Sequence, residues 1–320
     1  MAHELTIRTS GQAEMAFVGQ TPWHGLGQQL QEDASIDQWC VAAGMDWSIE
    51  RSPVQFMNGR MHQWKAQEVL YRSDTNEPLS IVSNSYHIVQ PRECLDFFNN
   101  LVNENGFKIE TAGTLQGGRK IWALARTGFD AEVVERDPVR MYLLIITSCD
   151  KGLATKSYFT SVRTVCNNTL QLSARAGMHS NLVKVHHSRK FCAKTVQANL
   201  GLNAGEVFDE FLMKMKGFAN VSVSGAQSER LIEEIFAQGG AKGSIRETKG
   251  FRTVMQLFNG VGKGSRLDGV AGTGWGIVNA ITEYTDFHVR AKNQDSRLAR
   301  AWLGEGANLK EIAVNILAEV

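Results

Sequence analysis

The chain has 320 residues, 43% hydrophobic and 21% charged, with a formal net charge of +1. This is the composition of a folded chain of one large domain or two ordinary ones, and it argues against disorder. No apolar run is long enough for a membrane-spanning helix, and Met1 to Gly19, with Glu4 and Glu14, has no signal-type apolar core, so a cytoplasmic protein is expected.

Residues 1–34 read as an irregular segment, with Pro22, Gly25 and Gly27 around Trp23 and His24. Ser35 and Gln38 form a capping box that opens a helix from about Ile36 to Ala43, closed by Gly44. Trp47–Met57 and Met61–Tyr71 flank Asn58-Gly59, which predicts a hairpin with a type I′ turn. Pro53 lacks an amide donor, so that strand should lie at an edge or bulge there. Leu79–Val89 reads as a third extended segment. Pro91, with Glu93 behind it, opens a helix whose buried face is Leu95, Phe98, Leu101 and Val102. Phe107–Leu115 and Arg119–Thr127 form a second hairpin about Gln116-Gly117-Gly118. Val139–Thr147 is apolar on both faces and predicts a central strand, and Lys156–Val165 predicts another.

After Phe191 the pattern turns helical. Val196, Leu200, Val207, Phe211 and Met215 recur at helical spacing, with Gly201 and Gly205 weakening the middle. Ser224/Gln227 and Thr273 are helix-starting signals, and Asn308 with Glu311 predicts the start of the last helix. The fold class is therefore α+β. A mainly antiparallel sheet with β-β-β-α order fills the N-terminal half, and a helical part follows. The expected division is 1–34, an α+β sheet domain over 35–195, and a helical region over 196–320 that packs either separately or on the same core.

Charge is unevenly distributed. Residues 151–205 contain no Asp or Glu but eight Lys/Arg: Lys151, Lys156, Arg163, Arg175, Lys184, Arg189, Lys190 and Lys194. The rest of the chain carries 26 basic against 33 acidic residues. A basic block inside an acidic protein is an argument about partners. Cations neutralise phosphates and aromatics stack on unpaired bases. Tyr158 and Phe159 are the expected stacking residues. Asn167 and Asn168 add neutral hydrogen-bonding groups beside Arg163, and Phe191 lies among the later cations. A solvated charged surface over core aromatics is the plain alternative. A second basic set among glycines, Arg246, Lys249, Arg252, Lys263 and Arg266, reads as a solvated loop.

Other chemistries are poorly supported. Cys40, Cys94, Cys149, Cys166 and Cys192 form no CxxC pair and read as reduced thiols. Cys149, Cys166, Cys192, His179, His186 and His187 are zinc-type ligands without zinc-type spacing. Cys192 near His186 and His187 is a candidate nucleophile by sequence proximity alone. Gly260-Val261-Gly262-Lys263-Gly264-Ser265 lacks the GxxxxGK[ST] spacing of a phosphate loop.

Four stretches carry a family resemblance: Thr21-Pro22-Trp23-His24-Gly25-Leu26-Gly27; Ser85-Tyr86-His87-Ile88-Val89-Gln90; Ser161 to Leu170 with Val185-His186-His187-Ser188; and Trp275 to Tyr284. Together they resemble the phage/plasmid-like protein family built on domain of unknown function 932. That resemblance implies an accessory protein of a mobile element and brings no catalytic residues with it. By element order alone, the chain is also similar to the phage single-strand annealing proteins of the Redβ, Erf and RecT type, which implies a ring or filament of copies. The expected function is binding of single-stranded DNA, with RNA as the alternative ligand, without a cofactor and without enzymatic activity. A zinc-dependent hydrolase or nuclease, and a module that inhibits a host or competitor protein, are the competing expectations.

Overall fold

Strands fill the first half and helices the second in the computed structural model, as the patterning predicts. It describes residues 6–8, 10–19, 26–99, 101, 106–163, 168–171, 182–200, 204–290, 300 and 304–320, with the backbone alone at 163 and 168–171. Thr21–Gly25, Val102, Cys166, Asn167, Arg175 and His179 lie outside the described residues.

The larger sheet has eight strands. Strands β6 (Lys108–Leu115), β7 (Lys120–Glu132), β8 (Pro138–Ser148) and β9 (Thr155–Arg163) form an antiparallel meander. On one side, β1 (Met15–Val18) pairs with β6, and β2 (Gln28–Leu30) runs parallel to β1. On the other, β11 (Leu182–Val185) pairs with the first half of β9 and β10 (Asn168–Gln171) with its second half. Four of these strands, β1, β2, β10 and β11, have only three or four residues, too few for alternation to reveal. The first 34 residues thus contribute two strands where an irregular segment is expected.

β8 is the central strand that its sequence predicts, because both of its faces are covered. Met141, Leu143 and Ile145 enter the main core with Ile121, Ala123, Ala125 and Phe159. Tyr142, Leu144 and Ile146 join Trp122, Leu124 and Tyr158 on the opposite face, with Ala13 and Met15. Each Leu or Ile buried this way contributes roughly 1.5–3 kcal/mol. The main core continues from Ala16 to Leu317, so the C-terminal helices share it.

The helices are α1 (Ile36–Ala42), α2 (Pro91–Asp96), α3 (Ala193–Asn199), α4 (Ala204–Asn220), α5 (Gly225–Gln238), α6 (Lys249–Gln256), α7 (Gly274–Glu283) and α8 (Glu305–Leu317). Their starts follow local chemistry. Both expected capping boxes form, at Ser35/Gln38 and Ser224/Gln227, and the Thr273 hydroxyl accepts from the Gly276 amide. The last helix differs. It begins at Glu305 after Gly304, a turn earlier than Asn308 predicts.

A separate antiparallel sheet of three strands comprises β3 (Ile49–Asn58), β4 (Arg60–Arg72) and β5 (Pro78–Ser83). With α2 it completes the expected β-β-β-α order. The pairing of β3 with β4 slips at Pro53/Val54, as the missing proline donor predicts. The type I′ turn does not form. Only Gly59 takes positive φ, at +68°, and Asn58 pairs directly with Arg60. Beyond the slip, residues 55–61 are all exposed, so the end of the hairpin stands clear as an arm.

One buried polar node ties the two sheets together. The Arg72 guanidinium, at the end of β4, donates to Glu14 at 2.7 and 3.1 Å and to Asp74 at 2.8 and 3.0 Å. It also lies over the Trp47 ring at 4.1 Å. Glu14 accepts further from Thr114. Gly44, which ends α1 with φ of +69°, must be glycine, because a Cβ there would lie 2.5 Å from the Glu14 side chain.

Candidate nucleic-acid interface

The basic block is built on the β9–β11 pair. Cross-strand partners Trp122, Ile146, Lys156 and Lys184 form one row across the sheet, and Leu124, Leu144, Tyr158 and Leu182 form the next. The row therefore runs from a buried tryptophan to two lysines at the outer strand. Lys184 is exposed and Lys156 half-buried. Burial pushes the Lys156 ammonium below its ordinary value, and the facing Lys184 pushes it further.

Three more cations lie at this end of the sheet. Lys151 is exposed in the turn before β9, in the left-handed conformation with φ of 63°. Arg189 and Lys190 are exposed in the turn after β11. His187 joins the two turns. Its Nδ1 lies 2.9 Å from the His87 carbonyl and its Nε2 3.2 Å from that of Leu153. Its ring stacks on Tyr86 at 4.5 Å, and its own carbonyl accepts the His87 amide at 2.6 Å. The Tyr86 hydroxyl donates to the Ser148 carbonyl at 2.8 Å. Asp150 is the carboxylate beside this cluster, and it accepts from the Gly152 amide at 2.8 Å with Lys120 at 3.8 Å. Lys194 is exposed on the first turn of α3.

The other expected contacts fall elsewhere. Arg163 and Asn168 pair across β9 and β10 at the far end of β9, about 23 Å along the strand from Lys156. The structure therefore does not bring Lys151 to Lys194 into one continuous row. Tyr158 and Phe159 are the clear correction. They are 3% and 0% exposed, one in each of the two apolar clusters. Phe191 is buried as well. None of the three offers a face to a base, because β9 is covered on both sides and Phe191 packs into the main core.

Exposed aromatics occur instead at Phe56 and Trp64, on the β3–β4 arm. A signal for them was present in the sequence. Residues 51–67 contain no Asp or Glu but include Arg51, Arg60, His62 and Lys65.

Among the described residues, no three His, Cys, Asp or Glu side chains come together as a metal site. Cys40, Cys94 and Cys149 are buried, and burial pushes their thiols up. Cys192 is exposed, its thiol lowered by a hydrogen bond with Thr195. His187, however, turns both ring nitrogens to backbone carbonyls. Arg246 is engaged by Glu229 at 3.0 Å and Glu233 at 2.8 Å. In the glycine-rich loop, the Lys263 amide donates to Glu283 at 3.0 Å, so a carboxylate of the protein occupies that donor.

Burial also lowers the His187 pKa, outweighing the two carbonyls that favour the imidazolium. The unfolded chain then binds the proton first, so stability rises with pH through this window and is lost as pH falls below about 6.5. Urea midpoints at about pH 7.5 and 5.5 should fall more for the natural chain than for His187→Gln. Equal losses would show that His187 does not titrate there.

An eight-stranded sheet carrying a basic rim, joined to a hairpin sheet and a helical layer, defines an α+β protein. The model of the domain of unknown function DUF932 matches residues 78–302, more than half of the chain, and the protein belongs to that family. No curated protein and no solved structure matches it. No described helix is long and apolar enough to cross a membrane.

Proposed function

We propose that this protein binds single-stranded nucleic acid, DNA in the first instance, along the rim formed by Lys151, Lys156, Lys184, Arg189 and Lys190. The observation that carries this reading is the facing pair Lys156 and Lys184. Like charges directly opposite on neighbouring strands weaken a sheet. A phosphodiester seated between them would relieve that repulsion. Neither lysine has a carboxylate partner among the described residues. The binding needs no cofactor. The β-β-β-α order adds an analogy with phage single-strand annealing proteins. On that analogy the protein acts as an accessory factor of a mobile element, and several copies assemble along one strand.

The test is the affinity for a fluorescent single strand as a function of salt. Five phosphate contacts, one for each of these cations, should cost about a hundredfold between roughly 50 and 200 mM salt. Replacing Lys156 and Lys184 together by Gln should flatten the slope of log affinity on log salt by about 1.4. The same change should leave stability unaltered or raise it by roughly 0.2–1 kcal/mol, since a repulsion is removed. Weaker binding with undiminished stability separates a lost contact from a damaged fold. No binding by the natural chain at low salt rules the reading out.

A further inference from the structure

We infer that the β3–β4 arm is the base-stacking element of the same interface, an inference that rests on the single-strand reading above. Register places Val54 opposite Trp64, Phe56 opposite His62 and Asn58 opposite Arg60, so all six lie on one face of the hairpin. Phe56 and His62 stack at 5.2 Å. Phe56 and Trp64 are each 52% exposed, an unusual cost for two aromatics that no described element covers. The opposite face carries Met57 and Met61, also exposed. From Val54 to Asn58 the arm extends about 13 Å, the span of several stacked bases.

Charge decides which occupant fits. The arm beyond its root carries Arg60, His62 and Lys65 and no carboxylate. At the root, Glu68 is held by Arg51, and Glu50 accepts from the Ser48 hydroxyl at 2.6 Å. Aromatic planes beside unpaired cations suit an anionic polymer with exposed π-faces, which is a single strand.

The arm and the basic rim also share a joint. The Arg51 guanidinium donates to the Tyr86 carbonyl, and the Tyr86 ring stacks on His187, which holds the turn bearing Arg189 and Lys190. Asn84 donates to the Lys65 carbonyl at 2.7 Å. A strand whose phosphates lie on the rim can therefore continue onto the arm, with its bases against Phe56, His62 and Trp64.

The experiment uses the full chain and oligothymidylate. Trp39, Trp47, Trp122 and Trp275 are buried, so solvent-exposed tryptophan emission quenched on binding should include a contribution from Trp64, lost in Trp64→Phe. Phe56→Ala with Trp64→Ala should weaken binding on the order of ten- to a hundredfold. The salt slope should not change, because phosphate contacts remain. Arg60→Gln with Lys65→Gln, which keeps the aromatics, should flatten that slope. Both double variants change exposed side chains, and an unchanged urea midpoint confirms the fold. If the natural chain binds and the aromatic variant binds equally well, the arm inference falls and the rim reading stands. If the aromatic variant binds equally well but loses self-association in sedimentation, the arm is a contact between copies and the inference again falls. If the natural chain binds no strand, both readings fall together.

Discussion

Arg72→Met should destabilise the protein by about 3–5 kcal/mol, measured as a drop in urea midpoint at neutral pH. The reason is the state of Glu14. Its side chain is 1% exposed, and Arg72 supplies two of its hydrogen bonds. Without that cation, Thr114 remains as a donor and Arg8 remains at 3.5 Å, a cation shared with Asp46. A buried carboxylate stripped of its partner costs more than the pair itself contributes. The guanidinium also covers the Trp47 ring, so its loss removes packing between the two sheets. Arg72 holds Asp74 below the usual carboxylate range, a second contribution that disappears with it. Adding Glu14→Gln to Arg72→Met should recover part of the loss, since the buried Glu14 charge is then removed as well. A double-mutant cycle reads that coupling directly. A loss under about 1 kcal/mol for Arg72→Met alone would mean that water reaches the node and screens it.

Lys310→Met should cost a similar amount, about 3–5 kcal/mol, in the helical half. Lys310 on α8 and Asp286, just beyond α7, are 3% and 8% exposed and form a direct ion pair. Burial pushes the Lys310 ammonium down, and Asp286 opposes that shift. Removing the ammonium takes this ion pair away from a buried carboxylate, to which the Thr285 hydroxyl also donates at 3.5 Å. Urea midpoints of the variant and the natural chain at neutral pH measure the loss. Lys310→Met with Asp286→Leu should recover most of the loss, because an apolar pair of similar volume avoids the desolvation cost. No recovery in the double variant would show that the buried carboxylate is not the source of the loss.

These two nodes and the proposed interface make different demands on the chain. Arg72 and Lys310 each sit against a carboxylate that satisfies them. Lys156 and Lys184 sit against each other. A fold selected for stability alone would place an acid or a neutral residue at one of those two positions, as such changes commonly stabilise at the expense of function. The retained repulsion is the reason the rim, rather than the glycine-rich loop or the cysteines, is offered as the binding surface.

The sequence by itself determined the features whose chemistry closes within a few residues. Ser35 with Gln38 and Ser224 with Gln227 each satisfy one another three positions apart, so the helix starts are legible. Pro53 announced the slip in β3, and the unbroken apolar run of β8 announced a strand covered on both faces. Tertiary structure alone decided the rest. Tyr158 and Phe159 have the composition of a stacking pair, but layers distant in sequence cover both sides of β9 and bury them. Phe56 and Trp64 stay exposed because no described element packs on the arm. Arg72 finds Glu14 at a separation of 58 residues, and Lys156 meets Lys184 only because β11 returns to β9. Local hydrogen bonds and periodicity are written in neighbouring residues. Whether a side chain meets solvent, core or another charge is set by what the fold brings against it.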